Sequence, residues 1–218
     1  MIQKSKTSRG RPRAYDPDTA LRQAMAAFWD AGYAATSLDD LSVATGMNRP
    51  SLYGAFGDKR TLYRKALDQY RAMGEEALAQ ALARDVPLDE ALRRAYLAAL
   101  SVYFSGGMGA RGCFMIGTAV TEAVADPELR GTLRSGFRSF DRAFEDRFQF
   151  ARYQGELPSG ADPAILAKLA SAVLYFLAIR SRAGETRDAL EAIAEGAVAF
   201  LCGAARPRDR RRRADRTR

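Results

Sequence analysis

The 218-residue sequence predicts an all-α fold of about nine helices, an N-terminal three-helix helix-turn-helix domain followed by a larger C-terminal helical domain. Three observations carry that prediction. Apolar residues recur at helical spacing through most of the chain, and sustained period-two alternation is absent. Helix starts are also marked repeatedly by a capping Asp, Ser or Asn, several of them followed by proline.

Asp16 caps the first helix, with Pro17 at its first position, where a missing N–H costs nothing. Leu21, Ala24, Met25, Phe28 and Trp29 repeat at i, i+3, i+4, i+7 and i+8, a single buried face that assigns Trp29 to the core rather than to a contact surface. Gly32 ends that helix, giving about 17 to 31. Ser37 begins the second, 38 to 45, and Asp40 three residues on can bond back to the Ser37 backbone, the reciprocal arrangement of a capping box. Gly46 supplies the left-handed residue of the turn. Asn48 then caps a third helix, 49 to 56, with Pro50 in its first turn and Leu52 and Phe56 facing inward. Its outward face carries Arg49, Ser51, Tyr53 and Ala55. Two short helices across a glycine turn, the second opening with Arg and Ser, suit major-groove reading, although the same pattern is common in helical proteins that bind no DNA.

Asp58 caps a longer fourth helix running to about Ala83, with Lys59 at its positive end, where a phosphate could meet both ammonium and helix dipole. Leu88 to Tyr103 forms one apolar stripe, and residues 116 to 124 another helix. Asp126-Pro127 starts the next, with Leu129, Leu133, Phe137, Phe140, Phe144 and Phe148 inward. Residues 153 to 160 read as loop, and Asp162-Pro163 caps a helix from Ala164 to about Arg182. That helix is apolar nearly all round and needs burial on two sides, one of which a second copy of the chain can supply. A last helix from Asp188 to about Cys202 carries small Ala192 and Gly196, which permit close approach.

Residues 20 to 65 resemble the N-terminal domain of the TetR/AcrR family. Ala27-Phe28, Gly32-Tyr33, Thr36-Ser37, Leu41, Ala44, Gly46-Met47, Leu52-Tyr53, Phe56 and Lys59 all stand at that family's spacings. The resemblance implies a one-component transcriptional regulator, a repressor released from a pseudo-palindromic double-stranded operator by a small-molecule effector. It further implies that Arg49, Pro50 and Ser51 face base edges while Ser37, Tyr53 and Lys59 hold phosphates. The fourth helix would be the transmission element, and the last two helices would pair with their mates in a homodimer. Two departures matter: Gly54 and Ala55 stand where members often carry larger or polar side chains, and Asp39 and Asp40 lie near the expected path of the DNA backbone.

Composition narrows the alternatives. Net charge is +8, with +5 in residues 1 to 13 and +6 in residues 206 to 218, so the body between them is at −3. Basic arms on a mildly acidic body suit nucleic acid, though solubilising tails would look the same. The expected organisation is a basic arm, 1–14; a DNA-binding domain, 15–60; a regulatory and dimerisation domain, 61–203; and an Arg-rich tail, 204–218. The chain contains no histidine, which removes Ser–His–Asp and Cys–His arrangements, and two cysteines make neither a disulfide framework nor a closed zinc site. Gly107 to Gly112 satisfies GxGxxG literally, yet it follows a helix and lies in no βαβ unit, so it reads as a loop. No enzyme, resident metal or cofactor is expected. The apolar stretch 169 to 179 is too short to span a bilayer and no leader opens the chain, so a cytoplasmic protein without membrane attachment is expected.

An effector pocket would draw on Tyr96, Tyr103, Phe104, Phe137 and Phe144, which could equally be aromatic core. Cys113 follows a glycine-rich loop at a helix start and could serve a thiol- or metal-responsive variant of the same fold, or be a small buried core thiol. Arg130, Arg134, Arg138 and Arg142 share one helix face, as a solvated stripe or as an anion or DNA-backbone contact. A helical interaction module that binds no DNA is the remaining alternative.

Overall fold

The computed structural model describes residues 15–106, 109–158 and 160–203. Both basic arms and the first two residues of the Gly107 to Gly112 segment lie outside these residues. The elements are α1 (Pro17–Ala31), α2 (Leu38–Thr45), α3 (Arg49–Phe56), α4 (Lys59–Ala81), α5 (Leu88–Tyr103), a π-helical turn (Met115–Ala119), α6 (Val120–Glu122), α7 (Pro127–Tyr153), α8 (Pro163–Arg182) and α9 (Arg187–Gly203). No strand occurs among the described residues.

The first three helices have the expected bounds because each start is fixed locally. The side chains of Asp16, Ser37, Asn48 and Asp58 accept backbone N–H bonds at the N-termini of α1, α2, α3 and α4. Around Phe28, Leu41, Met47, Leu52 and Phe56, all buried, these helices close a small core against the first half of α4. Each such side chain contributes about 1.5–3 kcal/mol on burial. The expected divide after residue 60 thus falls inside α4, a helix shared by both halves of the molecule.

α5, α7, α8 and α9 form the second half, with α7 packed along α8 and α5 along α9. Pro87, at the N-cap of α5, has no side-chain bond to give, and Glu156 from beyond α7 supplies one by accepting the Leu88 N–H at 2.7 Å.

Several boundaries differ from expectation, among them the end of α7, which takes in Tyr153 of the expected loop. α4 ends two residues early, at Ala81, while α8 and α9 each begin one residue earlier, at Pro163 and Arg187. The helix expected over 116 to 124 is instead a π turn from Met115 followed by one turn of α6. The π turn is set by tertiary packing that local periodicity does not report. Gly112, with φ 65°, lies so close to α8 that a Cβ there would stand 2.5 Å from the Ala178 carbonyl oxygen, so the backbone enters the turn from a fixed, close position.

α8 is 20 residues long and holds an 18-residue window of mean hydropathy 1.6, enough by length and composition to cross a membrane, which the shorter stretch 169 to 179 did not suggest. In the fold its inner face packs on α7 and α9. Its outer face leaves Ile165 and Ile179 each 58% exposed, with Leu169 and Phe176 between them, and Phe200 of α9 is 67% exposed.

Candidate nucleic-acid interface

The turn between α2 and α3 is built by short-range bonds. Gly46 takes φ 65° and ψ 13°, and Thr45 Oγ1 donates to the Leu41 carbonyl at 2.7 Å while accepting the Met47 N–H at 3.3 Å. Met47 is buried beneath this turn, which anchors the start of α3. Leu52 and Phe56 then hold α3 against the core, so Arg49, Pro50 and Tyr53 face outward; Ser51 and Ala55 are half-buried. Tyr53 is 48% exposed. Gly54 faces solvent with no neighbour, so the middle of the exposed face is flat.

Three of the expected contact residues are already engaged. Arg49 donates from Nε to Asp39 Oδ1 at 2.9 Å and from Nη2 to Asp39 Oδ2 at 2.6 Å, a bidentate pair joining α3 to α2. That bond, more than the charge of Asp39 as such, raises the pKa of the guanidinium. Ser37 completes the expected capping box: its N–H and hydroxyl donate to Asp40 Oδ2 at 2.8 and 2.6 Å, and its oxygen accepts the Asp40 N–H at 3.1 Å. Those bonds hold the Asp40 carboxyl below its ordinary pKa. Lys59 lies with Nζ 4.5 Å from the centroid of the Tyr33 ring, at the positive end of α4. Both acids that stand near the expected DNA path are therefore internally satisfied.

Lys65 also belongs to this surface and was not singled out from sequence. Its Nζ donates to the Phe56 carbonyl at 3.2 Å, placing a cation at the C-terminus of α3, where the helix dipole favours it. A lysine nine residues beyond its partner carries no local signature.

The seam between the two halves is aromatic. Tyr63 of α4 packs edge-on against Phe28 of α1 at 5.1 Å and Phe114 at 5.7 Å, and Trp29 packs against Tyr70 at 4.9 Å. The Tyr63 hydroxyl and Thr118 Oγ1 are 2.7 Å apart in a buried pair that ties α4 to the π turn. Arg182, at the end of α8, reaches the Trp29 carbonyl at 3.4 Å and the Arg111 carbonyl at 3.1 Å, while Arg111 pairs with Asp30 at 2.8 Å. None of these long-range partners is visible in local sequence.

The expected effector residues are dispersed. Tyr96, Tyr103 and Phe144 are buried in the packing of α5, α7 and α8; the two tyrosine hydroxyls donate to the carbonyls of Ala170 and Leu174 at 3.3 and 3.4 Å. Phe104, half-buried, packs on the same core. Cys113 and Phe137 instead border two separate cavities. Cys113 shares one of about 350 Å³ with Ile116, Ile179 and Arg182, and Phe137 lines one of about 600 Å³ between α6 and α7. Burial raises the pKa of Cys113, so its thiol is held neutral. Among the described residues no group of His, Cys, Asp and Glu has a metal-site arrangement.

Comparison with known proteins follows the same division. Residues 20–66 match the family described as "Bacterial regulatory proteins, tetR family", and residues 90–199 match "Tetracyclin repressor-like, C-terminal domain". The chain is 34% identical over 190 residues to the HTH-type transcriptional repressor ComR of Escherichia coli (strain K12), covering 87% of this chain and 90% of that one. It is 37% identical over 109 residues to the repressor BdcR of the same organism, across 49% and 54% of the two chains. Among solved structures, the TetR family regulator CifR, a cysteine mutant in complex with 26-base-pair operator DNA, superposes with a TM-score of 0.76 at 31% identity, over 86% of this chain and 98% of that one.

Proposed function

The chain belongs to the TetR family of bacterial regulators, DNA-binding transcription factors rather than enzymes, and from that premise we propose how its residues divide the work. It acts in the cytoplasm as a homodimeric repressor that leaves a pseudo-palindromic operator when its C-terminal half takes up a small molecule. The observation that carries this reading is the exposed face of α3, where Arg49, Pro50 and Tyr53 stand clear of a core that fixes the helix from behind through Leu52 and Phe56.

In this reading Arg49 leaves Asp39 and turns its fork to guanine O6 and N7, exchanging one bidentate acceptor for another. Pro50 and Ser51 meet neighbouring base edges. Tyr53, Ser37 and Lys59 hold phosphates, which fix register without reading sequence. Ser37 does so by redirecting a hydroxyl that the capping box now holds. The unpaired apolar face of Ile165, Leu169, Phe176 and Ile179 on α8, with Phe200 on α9, supports the second copy as its cover.

The effector acts by favouring the dimer geometry that fits DNA poorly, since only differential affinity for two states shifts their balance. The Tyr63–Thr118 pair and the Arg182 bridge are the paths by which the second half moves the first. Sensing through Cys113 is a second reading, supported by the thiol's place on a cavity wall and opposed by the burial that keeps it protonated. Footprinting on the DNA flanking the protein's own gene tests the main reading. Two protected half-sites about 34–36 Å apart, or a multiple of that spacing, are expected; protection without half-site symmetry, or none, would count against it.

A further inference from the structure

The 600 Å³ groove between α6 and α7 has an apolar floor and a cationic rim. Val120 and Val124 form one wall and Leu133 and Phe137 the other, while Arg130, Arg134 and Arg138 follow at four-residue intervals along its edge. Val124 is 77% exposed, an unusual setting for a valine beside three guanidiniums.

The rim is also unbalanced. Among the described residues no carboxylate pairs with Arg130, Arg134, Arg138 or Arg142, although the chain pairs many of its other arginines. Like charges at i, i+4 destabilise a helix, so four in succession serve the fold poorly. Arg130 is nonetheless fixed, donating from Nη2 to the Val124 carbonyl at 2.7 Å and from Nε to the Ala123 carbonyl at 3.1 Å, both from residues that line the groove with it. Arg134 and Arg138 are left facing an apolar trough of the size small ligands occupy. A purely solvated stripe needs no such trough, and a phosphate backbone has no use for one.

From this juxtaposition we infer that the groove binds a small amphipathic anion, an apolar chain or ring bearing a carboxylate or sulfonate, with the apolar part between Val124 and Phe137 and the acid on Arg134 and Arg138. The site also lies at a mechanical junction. The N-cap of α7 is Asp126, which pairs with Arg60 of α4 at 2.8 Å, and the first turn of α7 carries Glu128, which pairs with Arg64. Both arginines sit in the first two turns of α4, beside Lys59. Phe137 in turn packs on Tyr175 of α8 at 5.1 Å. That occupancy loosens the operator rests on the regulator reading above; that the groove binds the anion does not.

The test is calorimetric titration of the full-length protein, without DNA, with decanoate below its micellar concentration and with decanol. Saturable decanoate binding at least tenfold tighter than decanol, reduced tenfold or more in the Arg134→Gln/Arg138→Gln double variant, is the expected result. Both replaced side chains are exposed, so the variant is expected to fold, and an unchanged circular dichroism melt checks this. Absence of saturable binding, equal binding of the alcohol, or undiminished binding by the variant overturns the proposal. So does displacement of decanoate by non-operator duplex DNA, which would make the arginines a phosphate contact. Operator binding is measured separately on the wild type without ligand: failure to retain operator DNA would sink the regulator reading and leave the anion site standing.

Discussion

Asp39 and Arg49, ten residues apart, are joined by two parallel hydrogen bonds of 2.9 and 2.6 Å that tie the first helix of the helix-turn-helix to the opening of the second. Both side chains are more than half exposed, so the pair adds little to stability. In the proposed complex its consequence lies in recognition, because Asp39 cancels the positive charge of Arg49 and would compete with DNA for the guanidinium. Asp39→Asn is expected to raise affinity for non-operator DNA by about 3- to 10-fold at low salt and to narrow the preference for operator. Fluorescence anisotropy against both DNAs measures this, and unchanged affinity for both would show that the pair is not in competition with DNA.

Ile179 tests the unpaired face of α8. A two-fold axis brings each substitution in twice, so Ile179→Glu places like charges in an apolar interface and should raise the dimer dissociation constant by about 100-fold or more. Light scattering after size exclusion reads the mass directly. A variant that stays dimeric at micromolar concentration would place the interface elsewhere.

Tyr63 and Thr118 test the seam. Removing one hydroxyl leaves a buried partner short of a bond, so Tyr63→Phe should cost about 1–2 kcal/mol in urea unfolding. Thr118 keeps its bond to the Phe114 carbonyl at 2.8 Å, which limits the loss. A double cycle with Thr118→Val should return a coupling of about 0.5 kcal/mol or more, whereas strict additivity would mean that the pair contributes nothing.

Buried tyrosines and thiols also set an alkaline limit. Burial raises the pKa of Tyr63, Tyr70, Tyr96, Tyr103, Tyr175 and Cys113, and pushes Cys202 up to about 11. These groups stay neutral in the folded state while the unfolded chain loses its protons from about pH 8.5 for thiols and 10 for phenols. The folded state then binds more protons than the unfolded one, so stability is full below about pH 8 and falls as pH rises. Melting temperature should drop steadily between pH 8.5 and 10.5; a flat profile would contradict the assigned burial.

What the sequence made legible follows the range of the interactions. Asp16, Ser37, Asn48 and Asp58 act within three residues, and the bounds of the first three helices could be read from them. The π turn at Met115–Ala119 could not, since Gly112 against Ala178 and Thr118 against Tyr63 are contacts across 55 or more residues. Arg49 was readable as an exposed guanidinium but not as one held by Asp39, because spacing says nothing of which neighbour a side chain faces. Tyr96, Tyr103 and Phe144 show the same limit: aromatic periodicity marks an inward face equally well when that face is packed core and when it lines a cavity.

The proposed reading of the operator by Arg49 on α3 is tested most directly by binding of wild type and Arg49→Ala to operator and scrambled duplexes across a series of salt concentrations. The wild type should bind operator with a steep salt dependence, and the variant should lose about 10- to 100-fold on operator while changing little on scrambled DNA. Equal losses on both duplexes would make Arg49 a phosphate contact, and no loss on either would remove α3 as the reading helix.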